Sequence, residues 1–139
     1  MKFNRTASAY WEGGGKDGRG LLTTQSEVFQ NQPYGFNTRF GDKKGTNPEE
    51  LIGAALSGCY TMQLSFFIEE EGFEPQTLRT DSTVHFEDGK INQIDLDLKG
   101  KVPGMNEHQF KNVAERAKKE CPVGKLLNAN ISLNAELVD

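Results

Sequence analysis

Two cysteines, Cys59 and Cys121, stand 62 residues apart in a chain of 139 residues. A chain of this length buries a core without covalent cross-links, so stability alone assigns neither thiol a task. Cys59 lies in the most apolar segment of the sequence, where its plainest role is that of a buried core thiol. Such a thiol is inert: with a reference pKa of about 8.5, only about 3% is thiolate at pH 7, and apolar surroundings lower that fraction. Reaction needs a cation beside the sulfur. Arg39, in the loop before the segment, is the nearest plausible one, although an arginine there is more often a surface residue. Glu49 would fix its guanidinium through a two-point carboxylate pair. Glu49 equally suits the first turn of a helix with no further duty. Cys121, before Pro122, either merely caps a helix or acts as a resolving thiol that attacks an oxidised Cys59 and closes a reversible disulfide.

These residues need elements to carry them. Asn47 as N-cap, Pro48 at the first helical position, and Glu49 and Glu50 in the first turn mark a helix start. From Leu51 to Ile68 there follow eighteen residues without a charge, ended by Glu69-Glu-Glu-Gly. As a helix these reach about 27 Å, enough to consider a membrane span. Ser57, Thr61, Gln63, Ser65, two glycines and acidic flanks fit lipid poorly, so the segment reads as a buried central helix. Apolar or small on every side, it needs cover on every side, and Gly53, Ala54, Ser57 and Gly58 admit a close backbone; a second subunit is expected beside its own sheet. Ten residues of helix separate Glu49 from Cys59 by about 15 Å along the axis. A cluster of Arg39, Glu49 and Cys59 therefore takes at least part of its membership from another chain, in a homodimer with its site at the interface.

Around the helix, Lys2 to Trp11 and Gly20 to Phe29 read as a hairpin joined by a glycine-rich turn, and Asn31 to Thr46 as a loop with at most one strand, too irregular for a helix. Leu78 to Glu87 and Lys90 to Val102 form a second hairpin through Asp88-Gly89, with Ile94, Leu96 and Leu98 alternating with polar residues. Asn106, with Gln109 three residues on, caps a helix striped by Phe110, Val113, Ala114 and Ala117; Cys121-Pro122 breaks it and starts another. Ile131 to Leu137 alternate as a final strand. The order gives an α+β fold, read as a single domain over residues 1–139 without repeats or linkers.

Sixteen Lys and Arg against 20 Asp and Glu, with no basic cluster, exclude a nucleic-acid backbone as main partner. No basic segment followed by an apolar run opens the sequence, so a cytoplasmic setting that keeps both thiols reduced is expected. His85 and His108 lie in unrelated segments and write no metal-ligand set; a Gly-rich phosphate cradle and a Ser–His register are absent. No metal, cofactor or membrane is expected.

The runs Gln32-Pro-Tyr-Gly-Phe-Asn-Thr-Arg-Phe and Gly45-Thr-Asn-Pro-Glu-Glu-Leu-Ile-Gly-Ala-Ala, then Cys59, then Ala117-Lys-Lys-Glu-Cys-Pro-Val resemble the osmotically inducible protein C family over nearly the whole chain. The resemblance implies antiparallel strands with a long buried central helix in an intertwined homodimer, and a thiol-dependent peroxidase acting on organic hydroperoxides in stress defence. It implies Cys59 as the peroxidatic thiol, Cys121 as the resolving one, Arg39 as thiolate stabiliser and Glu49 as its partner. It also implies an external dithiol reductant, such as a lipoyl group or a low-molecular-weight thiol. Ser57-Gly58 departs from the two alanines frequent there, and Arg19 in the first hairpin competes with Arg39 as the cation. Tyr34, Phe36 and Phe40 are expected to wall the substrate and favour organic over hydrogen peroxide. The competing reading is a non-enzymatic module in which the apolar helix cups a lipid or a partner and both thiols are passive. Thiol reactivity separates the two.

Overall fold

A computed structural model describes residues 1–139. By its contacts the chain divides into two compact units, Met1–Leu51 and Ile52–Asp139.

In the first unit β1 (Ala7–Glu12) pairs antiparallel with β2 (Arg19–Thr24), and β2 with β3 (Gln32–Tyr34). The hairpin is shorter than its apolar content suggested: residues 25–31 leave the ladder, and Glu27 and Asn31 adopt positive φ. A short helix, α1 (Phe36–Phe40), corrects the expectation of irregular chain between Asn31 and Thr46. The Thr38 hydroxyl closes it on Gly35, accepting the Gly35 N–H and donating to the Gly35 carbonyl, both at 3.0 Å. Only Gly20 and Thr46 are buried among residues 1–51. A unit with so little inside lacks a core of its own.

Helix α2 (Pro48–Glu70) begins where its caps predicted, with the Asn47 side chain accepting the Glu50 N–H at 2.7 Å. It is long and apolar enough to cross a membrane by length and composition. Yet Gly53, Leu56, Tyr60, Leu64, Phe67 and Ile68, spaced by three and four residues, are buried inside the fold. Gly53 lies against the sheet: a Cβ there would stand 2.9 Å from Ser82 Oγ, which donates to the Gly53 carbonyl. The opposite face is bare, with Ala54, Ala55 and Gly58 exposed, Met62 62% exposed and Phe66 56% exposed.

The second unit is built on β4 (Thr77–Glu87) and β5 (Lys90–Lys101), an antiparallel hairpin turning through Asp88 and Gly89 at φ of 52° and 75°. Two successive positive φ values make a turn whose twist matches the strands. Helices α3 (Glu107–Glu120) and α4 (Pro122–Leu126) cross over to β6 (Asn130–Leu137), which runs parallel to β5. This corrects the expected all-antiparallel arrangement: a connection this long carries the chain back to the same end of the sheet. One face of β5 buries Ile94, Leu96 and Leu98 against α2 and α3 residues in a common core. On the wet face Asp95 accepts from Ser132 and Gln93 and meets His85 Nε2 at 2.7 Å, joining all three strands.

Candidate active site

The sequence pairs its candidate residues in two places. In the second unit, the stripe Phe110, Val113, Ala114 and Ala117 that buries α3 continues one turn further to Cys121, which is 1% exposed. On α2 the buried Tyr60 donates its hydroxyl to the Ala114 carbonyl at 3.0 Å, fastening the two helices beside Cys59. Both thiols are free. With the helices so fixed, Cys121 Sγ stands 3.0 Å from Cys59 Sγ and donates to it. Cys121 is fully buried, whereas Cys59 is only half-buried.

Cys121 caps two helices. Its N–H closes α3 on the Ala117 carbonyl at 3.0 Å, and its sulfur accepts the Gly124 N–H at 3.4 Å as α4 begins. Burial pushes its thiol up, and its bond to Cys59 adds to that; the Gly124 and Val123 amides pull the other way. The amides at the start of α4 are thus present but outweighed by burial.

In the first unit, Asn47 donates its side-chain amide to the Thr38 carbonyl at 3.1 Å while capping α2, so the residue after Thr38 is held beside the helix start. Arg39 Nε donates to Glu49 Oε1 at 2.8 Å, and Arg39 Nη2 approaches the same oxygen at 2.7 Å. This corrects the two-point carboxylate pair expected of Glu49: both contacts fall on one oxygen, and Oε2 is buried without a partner. The bond to Glu49 raises the Arg39 pKa further, so the guanidinium is a permanent cation. Arg19, the competing cation, is nearly free: its side chain is 86% exposed and meets only Glu12, at 3.8 Å. Tyr34 and Phe36 line a groove of about 850 Å³ together with Lys16, Arg19, Lys43 and Lys44. Phe40 lies outside that lining, its ring 5.1 Å from Phe36 and 4.7 Å beneath the Arg39 guanidinium.

Sequence reasoning missed two contributors, Tyr60 and Asn47 in its second contact. A lone phenol in an otherwise apolar helix needs a buried acceptor, and that signal pointed to Tyr60.

A family model described as OsmC-like protein matches residues 41–136, a span holding Glu49, Cys59 and Cys121 and beginning two residues after Arg39. Peroxiredoxin OsmC of Escherichia coli is 42% identical over 141 residues, covering 99% of each chain. An organic hydroperoxide resistance protein of Xanthomonas axonopodis pv. citri is 26% identical over 129 residues, covering 89% of this chain and 88% of that one. Among solved structures, an OsmC like protein from Mycoplasma pneumoniae matches with a TM-score of 0.77 at 17% identity over 100% of both chains. An organic hydroperoxide resistance protein from Elizabethkingia anophelis matches at 0.71 and 21%, over 100% of this chain and 99% of that one. These two likenesses establish the α+β fold. The family match over residues 41–136 and the 42% identity across the full length place this chain in the OsmC-like protein family.

Proposed function

We propose that the chain is a cysteine-dependent peroxidase that reduces organic hydroperoxides. The observation that carries this reading is the 3.0 Å approach of two free sulfurs, one half-exposed and one buried. A relative named peroxiredoxin and others named for organic hydroperoxide resistance support it. In the reaction, the Cys59 thiolate attacks the terminal oxygen of R–O–O–H. The O–O bond breaks, Cys59 becomes a sulfenic acid, and the alkoxide takes a proton and leaves as alcohol. Cys121 then attacks the sulfenic sulfur; the S–S bond forms and the hydroxyl departs with the Cys121 proton as water. An external dithiol, such as a lipoyl group, reduces the disulfide and is itself oxidised, in a cytoplasm that keeps the thiols reduced between turnovers.

Arg39 supplies the cation for the Cys59 thiolate and the departing alkoxide, with Glu49 holding it. Glu49 and Cys59 are ten residues apart on α2, about 15 Å of helix, so the guanidinium that serves a given thiol belongs to the partner in a homodimer. Three features support the dimer: the bare apolar face with Met62 and Phe66, the nearly coreless residues 1–51, and the orphaned Glu49 Oε2. Tyr34 and Phe36 give substrate an apolar wall in the groove, with the Phe40 ring packed behind Phe36.

The test is turnover of cumene hydroperoxide with a dithiol reductant by the wild type and by Cys59→Ser, with the oligomeric state measured by light scattering. Turnover by a dimer and none by the variant is expected. A wild type whose Cys59 stays sluggish toward hydroperoxide would refute the peroxidase and favour the binding module.

A further inference from the structure

The geometry points to a second task for Cys121, performed before any peroxide arrives: its S–H donates a hydrogen bond to the Cys59 sulfur and so favours the Cys59 thiolate. This deepens the peroxidase reading and rests on it. Within the second unit, the polar hydrogen that meets Cys59 Sγ is that of Cys121, at 3.0 Å. The other ionisable groups around the pair do not compete for that place. The Tyr60 hydroxyl is spent on the Ala114 carbonyl and burial keeps it protonated, and the carboxylate of Glu115 only strengthens that tendency. Cys121 itself is sealed from solvent, and burial favours its protonated form. A thiol is a weak donor to a neutral acceptor, but a hydrogen bond to an anion is about twice as strong.

The arrangement gives one contact two successive uses. While Cys59 is reduced, the Cys121 proton points at an anion and stabilises it. Once Cys59 carries oxygen, its sulfur has become the electrophile, and the Cys121 sulfur already stands beside it. The same proton then leaves with the hydroxyl as water, so formation of the S–S bond needs no outside acid. Tyr60 on Ala114 and the Cys121 N–H on Ala117 tie both sulfurs to the same pair of helices.

The two tasks of Cys121 separate by substitution. Cys121→Ser keeps a donor and Cys121→Ala removes it, while neither can resolve a sulfenic acid. The measurement is the rate of Cys59 alkylation by iodoacetamide at pH 7, followed by peptide mass spectrometry, with the thiolate absorbance at 240 nm as a second readout. The alanine variant is expected to react about tenfold more slowly than wild type, and the serine variant within about threefold of it. Cys121→Thr and Cys121→Val repeat the comparison with the side-chain volume restored, should the alanine variant fold poorly. Equal alkylation rates and equal 240 nm absorbance in the donor and non-donor variants would overturn the inference. No peroxide enters the assay. A protein that alkylates in the expected order yet fails to reduce hydroperoxide would defeat the proposed function and leave this hydrogen bond standing.

Discussion

Replacing Tyr60 by Phe removes one oxygen from the fastening between α2 and α3, and its consequences follow from where that oxygen lies. The hydroxyl is fully buried and donates to the Ala114 carbonyl at 3.0 Å. A buried neutral hydrogen bond contributes about 1 kcal/mol net. For a chain of this length about 1 kcal/mol corresponds to a fall of about 3–5 °C in Tm, read by circular dichroism at one fixed protein concentration because a dimer's stability depends on it. Tyr60 adjoins Cys59, and Ala114 lies seven residues before Cys121. Loosening this tie therefore slows the meeting of the sulfurs once Cys59 is oxidised. The sulfenic acid then lives longer and a larger share is driven on to sulfinic acid, a gain of two oxygens in the intact mass. Tyr60→Phe is expected to melt lower and to overoxidise more at a given peroxide dose. A variant that melts with the wild type and gives the same ratio of disulfide to sulfinic acid would refute the reasoning and reduce Tyr60 to core filling.

The remaining predictions concern the frame. In β5, a Cβ at Gly100 would stand 2.5 Å from Phe110 Cζ and 3.0 Å from Leu78 Cδ2, so Gly100→Ala is expected to cost about 1–3 kcal/mol in urea unfolding. A loss below about 0.5 kcal/mol would show that Phe110 yields freely. Asp95 is held down to about 2, first by Ser132, then by Gln93 and His85. Because its folded pKa lies below the usual value of about 3.9, it stabilises the fold above about pH 4 and that contribution is lost as the pH falls through about 2. Thermal melts should accordingly show the wild type losing more stability than Asp95→Asn between those two values. Parallel curves for the two proteins would contradict the assignment. Met62→Glu places a charge on the bare face of α2 and is expected to shift the protein toward monomer in light scattering, with peroxidase turnover falling alongside. An intact dimer would move the interface elsewhere.

What the sequence made legible was local. Asn47 and Pro48, Asn106 with Gln109, and Asp88-Gly89 act through hydrogen bonds or dihedrals within a few residues, and each element begins or turns where these residues stand. Cys121 was legible as a cap, whereas its place at the end of the buried α3 stripe shows only in the structure. Helix α1 escaped because five residues carry too little periodicity to distinguish a helix from a loop, and its closure depends on one threonine hydroxyl. The parallel pairing of β6 with β5 escaped because strand direction is set by the path of α3 and α4, which alternation within β6 does not record. Gly53 and Gly58 look alike in the sequence. Only the structure separates the one pressed on Ser82 from the one with open space above it. The pairing of Cys59 with Cys121 was legible as chemistry, while the Tyr60 bond that fastens their helices depends on a contact between residues 54 apart in the chain.

What hydroperoxide does to the two sulfurs decides the mechanism. Wild-type protein treated with one equivalent of cumene hydroperoxide per chain and then digested without reductant should yield a single cross-linked peptide joining Cys59 to Cys121, with both free thiols lost together. A Cys59 sulfenic or sulfinic acid beside an untouched Cys121, or two thiols that survive the treatment, would contradict it.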